Sequence, residues 1–230
     1  MFKYEGKITV ILKSLIFILN YFIFFIKKRK KIGVIGLTHG NNIGNNLLKY
    51  AMHIKLSELG FEPYIIGFWN KENDISFIKK VTNLRIIHKS FKEIKKNDYD
   101  ILMVNSDQTW RPRKNRNIFY DIGFLCFAKS WKIPKFAYSA SLGVDYWNFT
   151  KKDEKMAKEC LREFSDISLR EKGSIYLVKK HLGIKATNVL DPTFLIDKKY
   201  YYNIIKHYKP EKMKNDNFIL VYKFLNEANT

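Results

Sequence analysis

The chain has 230 residues, 46% of them hydrophobic, and a formal net charge of +20. That length allows one large domain, or one domain and part of another, with a sizeable core. Two cysteines, Cys126 and Cys160, make no CxxC pair and no disulfide framework. Both sit among apolar residues and are expected as buried thiols, which fits a reducing cytoplasm. The five histidines show no metal-ligand spacing, so no metal site is expected. The positive charge favours anionic partners. It is spread along the whole chain with abundant Lys, Asn, Ile, Tyr and Phe, as an AT-rich genome would produce. That pattern argues against a dedicated nucleic-acid surface.

Residues 8–26 are strongly apolar and run into Lys27-Lys28-Arg29-Lys30-Lys31. Lys13, Asn20 and Lys27 recur at a seven-residue interval, so a helix would carry them on one line opposite a Leu, Ile and Phe face. This is the pattern of a helix lying in a membrane interface, with residues 8–31 on anionic headgroups. A single span, with the basic cluster holding the following domain at the inner face, is the alternative. No small-residue cleavage site follows, which argues against a removed signal peptide.

Residues 31–37 read as a first strand, followed by a turn rich in Gly and Asn. Leu47, Leu48, Ala51, Met52, Leu56 and Leu59 make a helical apolar pattern that Gly60 ends. Strands are expected at 61–67, 84–88, 99–105, 136–139, 166–169 and 187–190, with a brief helix at 90–97. Thr150, with Asp153 three residues on, caps a helix whose inward face is Met156, Ala157, Cys160, Leu161 and Phe164. Further helices are expected at 172–182, ending at Gly183, and at 197–208. Strand and helix alternate, which predicts a parallel sheet with helices on both faces. The expected organisation is a membrane-associating helix at 1–31, a Rossmann-like α/β domain at 32–208, a linker at 209–217 and one strand at 218–230. That last strand reads as the opening of a second α/β domain whose remainder is missing.

The polar motifs sit at strand ends, where open parallel sheets hold ligands. Gly40-Asn41-Asn42-Ile43-Gly44-Asn45 forms the first turn, with glycines for tight backbone and helix N–H groups suited to an anion. It is neither GxGxxG nor a P-loop, and a structural tight turn reads equally well. Ser106-Asp107-Gln108-Thr109-Trp110 follows a central strand. There Asp107 suits hydroxyl binding or base work, Gln108 donates and accepts, and Trp110 offers a face for a sugar ring. Arg111 and Arg113 are fixed cations for carboxylate or phosphate. Ser139 and Ser141 flank Ala140 without the spacing of a nucleophile elbow, so small residues allowing close backbone approach are the better reading. Arg170-Glu171 reads either as a self-satisfied ion pair or as Arg170 meeting substrate. Asp191-Pro192 reads as a turn opening, with Asp191 capping.

Taken in order, residues 40–51 (GNNIGNNLLKYA), 106–110 (SDQTW), 138–143 (YSASLG), 168–173 (SLREKG) and 190–195 (LDPTFL) resemble the polysaccharide pyruvyl transferase family. The resemblance covers roughly residues 32–225. It implies two Rossmann-like halves facing across a cleft, as in GT-B glycosyltransferases. It also implies transfer of a pyruvyl group from phosphoenolpyruvate, as donor substrate and with no cofactor, onto sugar hydroxyls of a cell-surface polysaccharide or its lipid-linked precursor. The product is a ketal. Such chemistry needs cations for the donor, for which Arg111, Arg113 and Arg170 are available, and a base or acceptor-binding group, for which Asp107 is the candidate. The sequence assigns no general acid; His39, near the first turn, reads better as a turn residue. The substrate-binding set is then Gly40, Asn41, Asn42, Gly44, Asn45, Ser106, Gln108, Trp110, Arg111, Ser139, Ser141 and Arg170. The alternative is a non-catalytic, membrane-associated half-domain that binds glycan. The near-absence of a second half predicts low activity for this chain alone.

Overall fold

Buried strands of a parallel sheet must satisfy two cores at once, because successive side chains point to opposite faces. The computed structural model, which describes residues 29–36, 42–68, 86–88 and 91–208, shows this directly. On β4 (Ile101–Val104), Ile101 and Met103 pack in one cluster while Leu102 and Val104 pack in the other. On β5 (Lys135–Ala140), Phe136 and Tyr138 join the first cluster and Ala137 and Ala140 the second. The same split divides Ile32 and Val34 from Ile35 on β1 (Lys31–Ile35), and Ile65 from Tyr64 and Ile66 on β2 (Glu62–Phe68).

With β3 (Ile86–His88), β6 (Asp166–Leu169) and β7 (Thr187–Asn188), these strands form a seven-stranded sheet. Its order is β3-β2-β1-β4-β5-β6-β7, and every pairing is parallel. The order runs outward from β1 in one direction and from β4 in the other. The β1–β4 junction is therefore the switch point where ligands of doubly wound sheets lodge.

Helix α1 (Ile43–Glu58) contributes Met52 and Leu56 to one cluster. Helices α2 (Arg116–Phe124), α3 (Lys151–Leu161) and α4 (Lys172–Leu182) supply Phe119, Phe124, Ala157, Leu161, Val178 and Leu182 to the other. The sheet is thus covered on both faces, as the strand–helix alternation predicts. Helix starts follow short-range chemistry. The Asn42 side chain accepts the Asn45 N–H at 3.0 Å. Thr150 and Asp153 complete a reciprocal capping box at α3. Gly60 and Gly183, with φ of 86° and 70°, end α1 and α4 in left-handed conformations. Helix α5 (Lys198–Tyr208) belongs to a second compact unit that begins at Asp197.

Three sequence expectations are corrected, and one helix appears that the sequence did not announce. The expected helix at 90–97 is a single three-residue 3-10 turn, Phe91–Glu93. The strand expected at 187–190 is two residues long, Thr187–Asn188. Helix α2 is not apparent in the sequence because Asn115 is its only strong start signal and its five buried residues run almost consecutively, Phe119, Tyr120, Ile122, Gly123 and Phe124. Cys126 and Cys160 are joined in a disulfide rather than standing as free thiols. Sequence spacing concealed this pair, because α2 and α3 pack side by side and bring positions 34 residues apart within a Cα separation of 5.5 Å. The apolar segment at 1–28 and the linker and strand expected at 209–230 lie outside the described residues. Among the described residues no helix is long and apolar enough to cross a membrane.

Candidate functional site

The loops that leave β4, β5, β6 and β7 are tied to one another by hydrogen bonds. Ser141 N–H donates to the Asp107 carbonyl at 3.1 Å, and Trp110 N–H donates to the Ser141 carbonyl at 3.1 Å. Asp107 also bridges Ala140 as an isolated strand-like pair. Ser106 Oγ lies 3.4 Å from both Ser139 Oγ and Asp191 Oδ2. Asp191 Oδ2 accepts from Arg170 Nη1 at 3.1 Å, and Arg170 Nε donates to Glu171 Oε1 at 2.9 Å. Ser141 Oγ donates to the same Glu171 oxygen at 2.9 Å and accepts from Gly143 N–H at 2.9 Å. Four strand ends therefore share one polar network along the carboxyl edge of the sheet.

Two residues in this network hold left-handed backbone without being glycine. Asp107 has φ of 84°, and Ser139 has φ of 54° at a register shift between Ala137 and Ala140. Such conformations cost of order 1–3 kcal/mol each and concentrate at functional sites. Gly143, with φ of 70°, is required for a second reason: a Cβ there would stand 2.7 Å from Gln108 Cγ. Gln108 is thereby pressed against the β5 loop, and its Oε1 accepts from Arg111 Nη1 at 3.0 Å.

The expected site residues divide by what they touch. Asn42, Gly44, Gln108, Arg111 and Asp107 retain exposure at the switch-point edge. Gly40, Asn41 and His39 lie outside the described residues. Ser106, Ser139 and Ser141 are buried and engaged with protein partners, so they hold the rim in shape. Arg170 is half-buried and gripped by two carboxylates, which supports the ion-pair reading of that dipeptide. Burial works to lower its pKa, but bonds to Glu171 and Asp191 prevail and raise it further.

The sugar-stacking role expected of Trp110 is corrected. The side chain is wholly buried, packs edge-on against Phe124 with ring centroids 5.6 Å apart, and donates its indole N–H to the Gly123 carbonyl at 2.8 Å. No face is open to a sugar. Gly123 permits this, since a Cβ there would meet the Thr109 carbonyl at 2.8 Å. Trp110 anchors the 106–110 loop to α2.

Sequence reasoning missed Lys49 and Asn105. Lys49 is only 4% exposed, although it sits on a helix at the sheet's switch point. Burial lowers its pKa to about 8, against the opposing pull of the Asp107 charge. Burial lowers the Arg113 pKa as well, with Asp107 opposing and Arg111 reinforcing. Asp107 is thus the shared neighbour of two desolvated cations. Asn105, 2% exposed, ends β4, donates its N–H to the Ile35 carbonyl at 2.7 Å and has an unpartnered Oδ1. The available signal for Lys49 was its spacing: it follows Asn45 by four residues and shares a helix face with it. Among the described residues no group of three metal-ligating side chains gathers.

A family model described as polysaccharide pyruvyl transferase matches residues 42–229. The chain belongs to the polysaccharide pyruvyl transferase family. The match begins at the Asn42 cap and runs through every rim residue named above. Family membership implies polysaccharide pyruvyl transfer in general. No curated protein and no solved structure matches the chain.

Proposed function

We propose that this domain carries the donor and acceptor groups for pyruvyl transfer from phosphoenolpyruvate to hydroxyls of a surface polysaccharide or its lipid-linked precursor. The observation that carries the reading is the clustering of desolvated cations around Asp107 at the switch point. Phosphoenolpyruvate brings a phosphate and a carboxylate, which Arg113 and Arg111 are suited to hold. With Arg170 engaged by Glu171 and Asp191, its part is to fix the rim.

The reaction balances without a cofactor. The methylene carbon of the enol takes a proton, and the central carbon becomes electrophilic. A sugar hydroxyl adds there and gives up its proton, for which Asp107 is the base. The carbon–oxygen bond to phosphate breaks and inorganic phosphate leaves. A second hydroxyl closes the ketal and releases its own proton. In this reading a second Rossmann-like half faces the crevice in the GT-B manner, and residues 8–31 hold the enzyme at the inner membrane face, near a lipid-linked acceptor.

The test mixes the folded protein with phosphoenolpyruvate and lipid-linked sugar, then measures phosphate release and ketal formation by mass spectrometry. Release that requires the sugar supports transfer. A protein that binds the sugar yet releases no phosphate is the glycan-binding module instead. Vesicle flotation with anionic lipid tests the membrane arm, and recovery of the protein in the unbound fraction removes it.

A further inference from the structure

The crevice between β1 and β4 holds more unmet polar capacity than packing explains. Asn45 and Lys49 lie one helical turn apart on α1 and are 5% and 4% exposed. Asn45 Nδ2 has no hydrogen-bond partner, nor do Asn105 Oδ1 and the buried Arg113 Nε. Native proteins satisfy most buried polar groups, so several orphans near one strand junction point to a missing ligand. The groups are neighbours by separate observations. Asn105 lies beside Gly36 at the end of β1, where a Cβ would stand 3.6 Å from Asn105 Cβ. Asp107 follows Asn105 by two residues and acts electrostatically on both Lys49 and Arg113.

Lys135 shows what a structural buried lysine looks like in this protein. Its ammonium donates to Glu163 Oε2 at 2.9 Å and to the Trp131 carbonyl at 2.8 Å. Lys49 is buried to a similar degree, and the charge of Asp107 acts both on it and on Arg113.

We propose that Lys49, with Arg113 and Asn45, forms the anion-holding subsite of the crevice and decides whether a small carboxylate or phosphate binds there. The identity of the anion as phosphoenolpyruvate rests on the pyruvyl-transfer reading. Lys49 and Arg113 supply charge, and Asn45 Nδ2 and Arg113 Nε supply hydrogen bonds to anionic oxygens. Asn105 Oδ1, which only accepts, suits a sugar hydroxyl alongside.

Burial places the Lys49 pKa at about 8, so its charge is present at neutral pH and lost just above it. The titratable groups on the elements packed against α1 are Asp107 after β4, Asp191 before the 3-10 turn Pro192–Phe194, and Glu62 and Tyr64 on β2; Tyr50, His53, Lys55 and Glu58 follow on α1 itself. Among these, Asp107 is the group whose charge acts on Lys49, and it favours the protonated form.

The experiment is calorimetric titration of the full chain with phosphoenolpyruvate, inorganic phosphate and pyruvate, each from about pH 7 to about pH 9. Wild-type affinity for phosphoenolpyruvate is expected to fall about tenfold over that range, as the protonated fraction of Lys49 falls. Lys49→Arg keeps its charge and is expected to bind with little pH dependence. Lys49→Met is expected to bind weakly throughout, while Lys155→Gln, on exposed surface, tracks the wild type. Circular dichroism establishes that each variant is folded, and the Lys49→Arg comparison decides the matter if Lys49→Met is not. The phosphate and pyruvate arms tell which end of the donor is held. Unaltered binding in Lys49→Met, a wild-type profile in Lys49→Arg, or no binding of any of the three anions overturns the proposal. Binding with the expected pH dependence but without phosphate release leaves this subsite standing and removes the transferase reading instead.

Discussion

Arg170 Nη1 stands 3.1 Å from Asp191 Oδ2, so the residue that follows β6 is ion-paired to the residue that opens the turn after β7. The same guanidinium holds Glu171 through Nε at 2.9 Å. A planar fork reaches both carboxylates, whereas a lysine ammonium is a single point charge. Arg170→Lys is expected to lose one of the two contacts and about 1–2 kcal/mol of stability, as a part-buried charged hydrogen bond is lost. Urea unfolding measures this. Because Asp191 also touches Ser106, turnover is expected to fall further than binding does; equal wild-type turnover would show that the network is idle.

Gly143 resists a side chain on two counts. Its φ is 70°, and a methyl group there would come within 2.7 Å of Gln108 Cγ, so alanine meets both strain and collision. Gly143→Ala is expected to cost about 1–3 kcal/mol and to displace Gln108. A thermal melt gives the first quantity and a crystal structure of the variant the second.

Trp110→Phe separates anchoring from sugar stacking. It removes the indole donor to the Gly123 carbonyl and leaves a buried acceptor unpaired. A loss of about 1–3 kcal/mol is expected, with the sugar KM unchanged. A KM increase in a variant that melts like the wild type would return Trp110 to the binding surface.

Lys49 also predicts a pH dependence of stability. Its pKa is about 8 in the folded protein and near 10.5 when unfolded. Between those values the unfolded chain binds the extra proton, so stability rises with pH across this window. Below about pH 8 the folded state carries the full cost of a buried charge, about 3 kcal/mol from the pKa difference. Lys49→Met is expected to be flatter than wild type in this window when unfolding midpoints are compared at matched pH. Parallel curves would show that Lys49 is better solvated than its burial implies.

Asp121 supplies the opposite sign. Burial raises its carboxyl to about 6, partly offset by a hydrogen bond from the Phe127 backbone. The folded state then binds the extra proton between the ordinary carboxylate pKa and about 6, so stability falls as pH rises through that range. Asp121→Asn keeps an acceptor and removes the charge. It is expected to stabilise the fold at neutral pH by about 1 kcal/mol or less, since solvent screens a part-exposed carboxylate, and to raise the melting temperature accordingly. No gain would place the carboxylate in water.

Local chemistry made much of the frame legible. Thr150 and Asp153 announced α3, Gly60 and Gly183 marked helix ends, and strand–helix alternation gave a parallel sheet, because each of these signals acts over a few residues. Helix α2 escaped for the converse reason. Its buried residues Phe119, Tyr120, Ile122, Gly123 and Phe124 crowd into one short helix, so too few turns repeat for a helical period to stand out. Trp110 was misread because an aromatic beside arginines looks alike whether it faces solvent or core. Its place was decided by Gly123, thirteen residues on, which lets α2 approach the loop.

The motifs at the strand ends, and the family they define, were in the sequence itself, since spacing within a turn is set by the backbone of that turn. Which groups stand together was not. Lys49 and Arg113 share Asp107, Ser106 meets Asp191, and Cys126 meets Cys160, only because the strand order sends β4 to the side of β1 and packs α2 beside α3. Long-range proximity of this kind depends on how both cores close over the sheet, and so do the desolvation and charge state of the lysine at its centre.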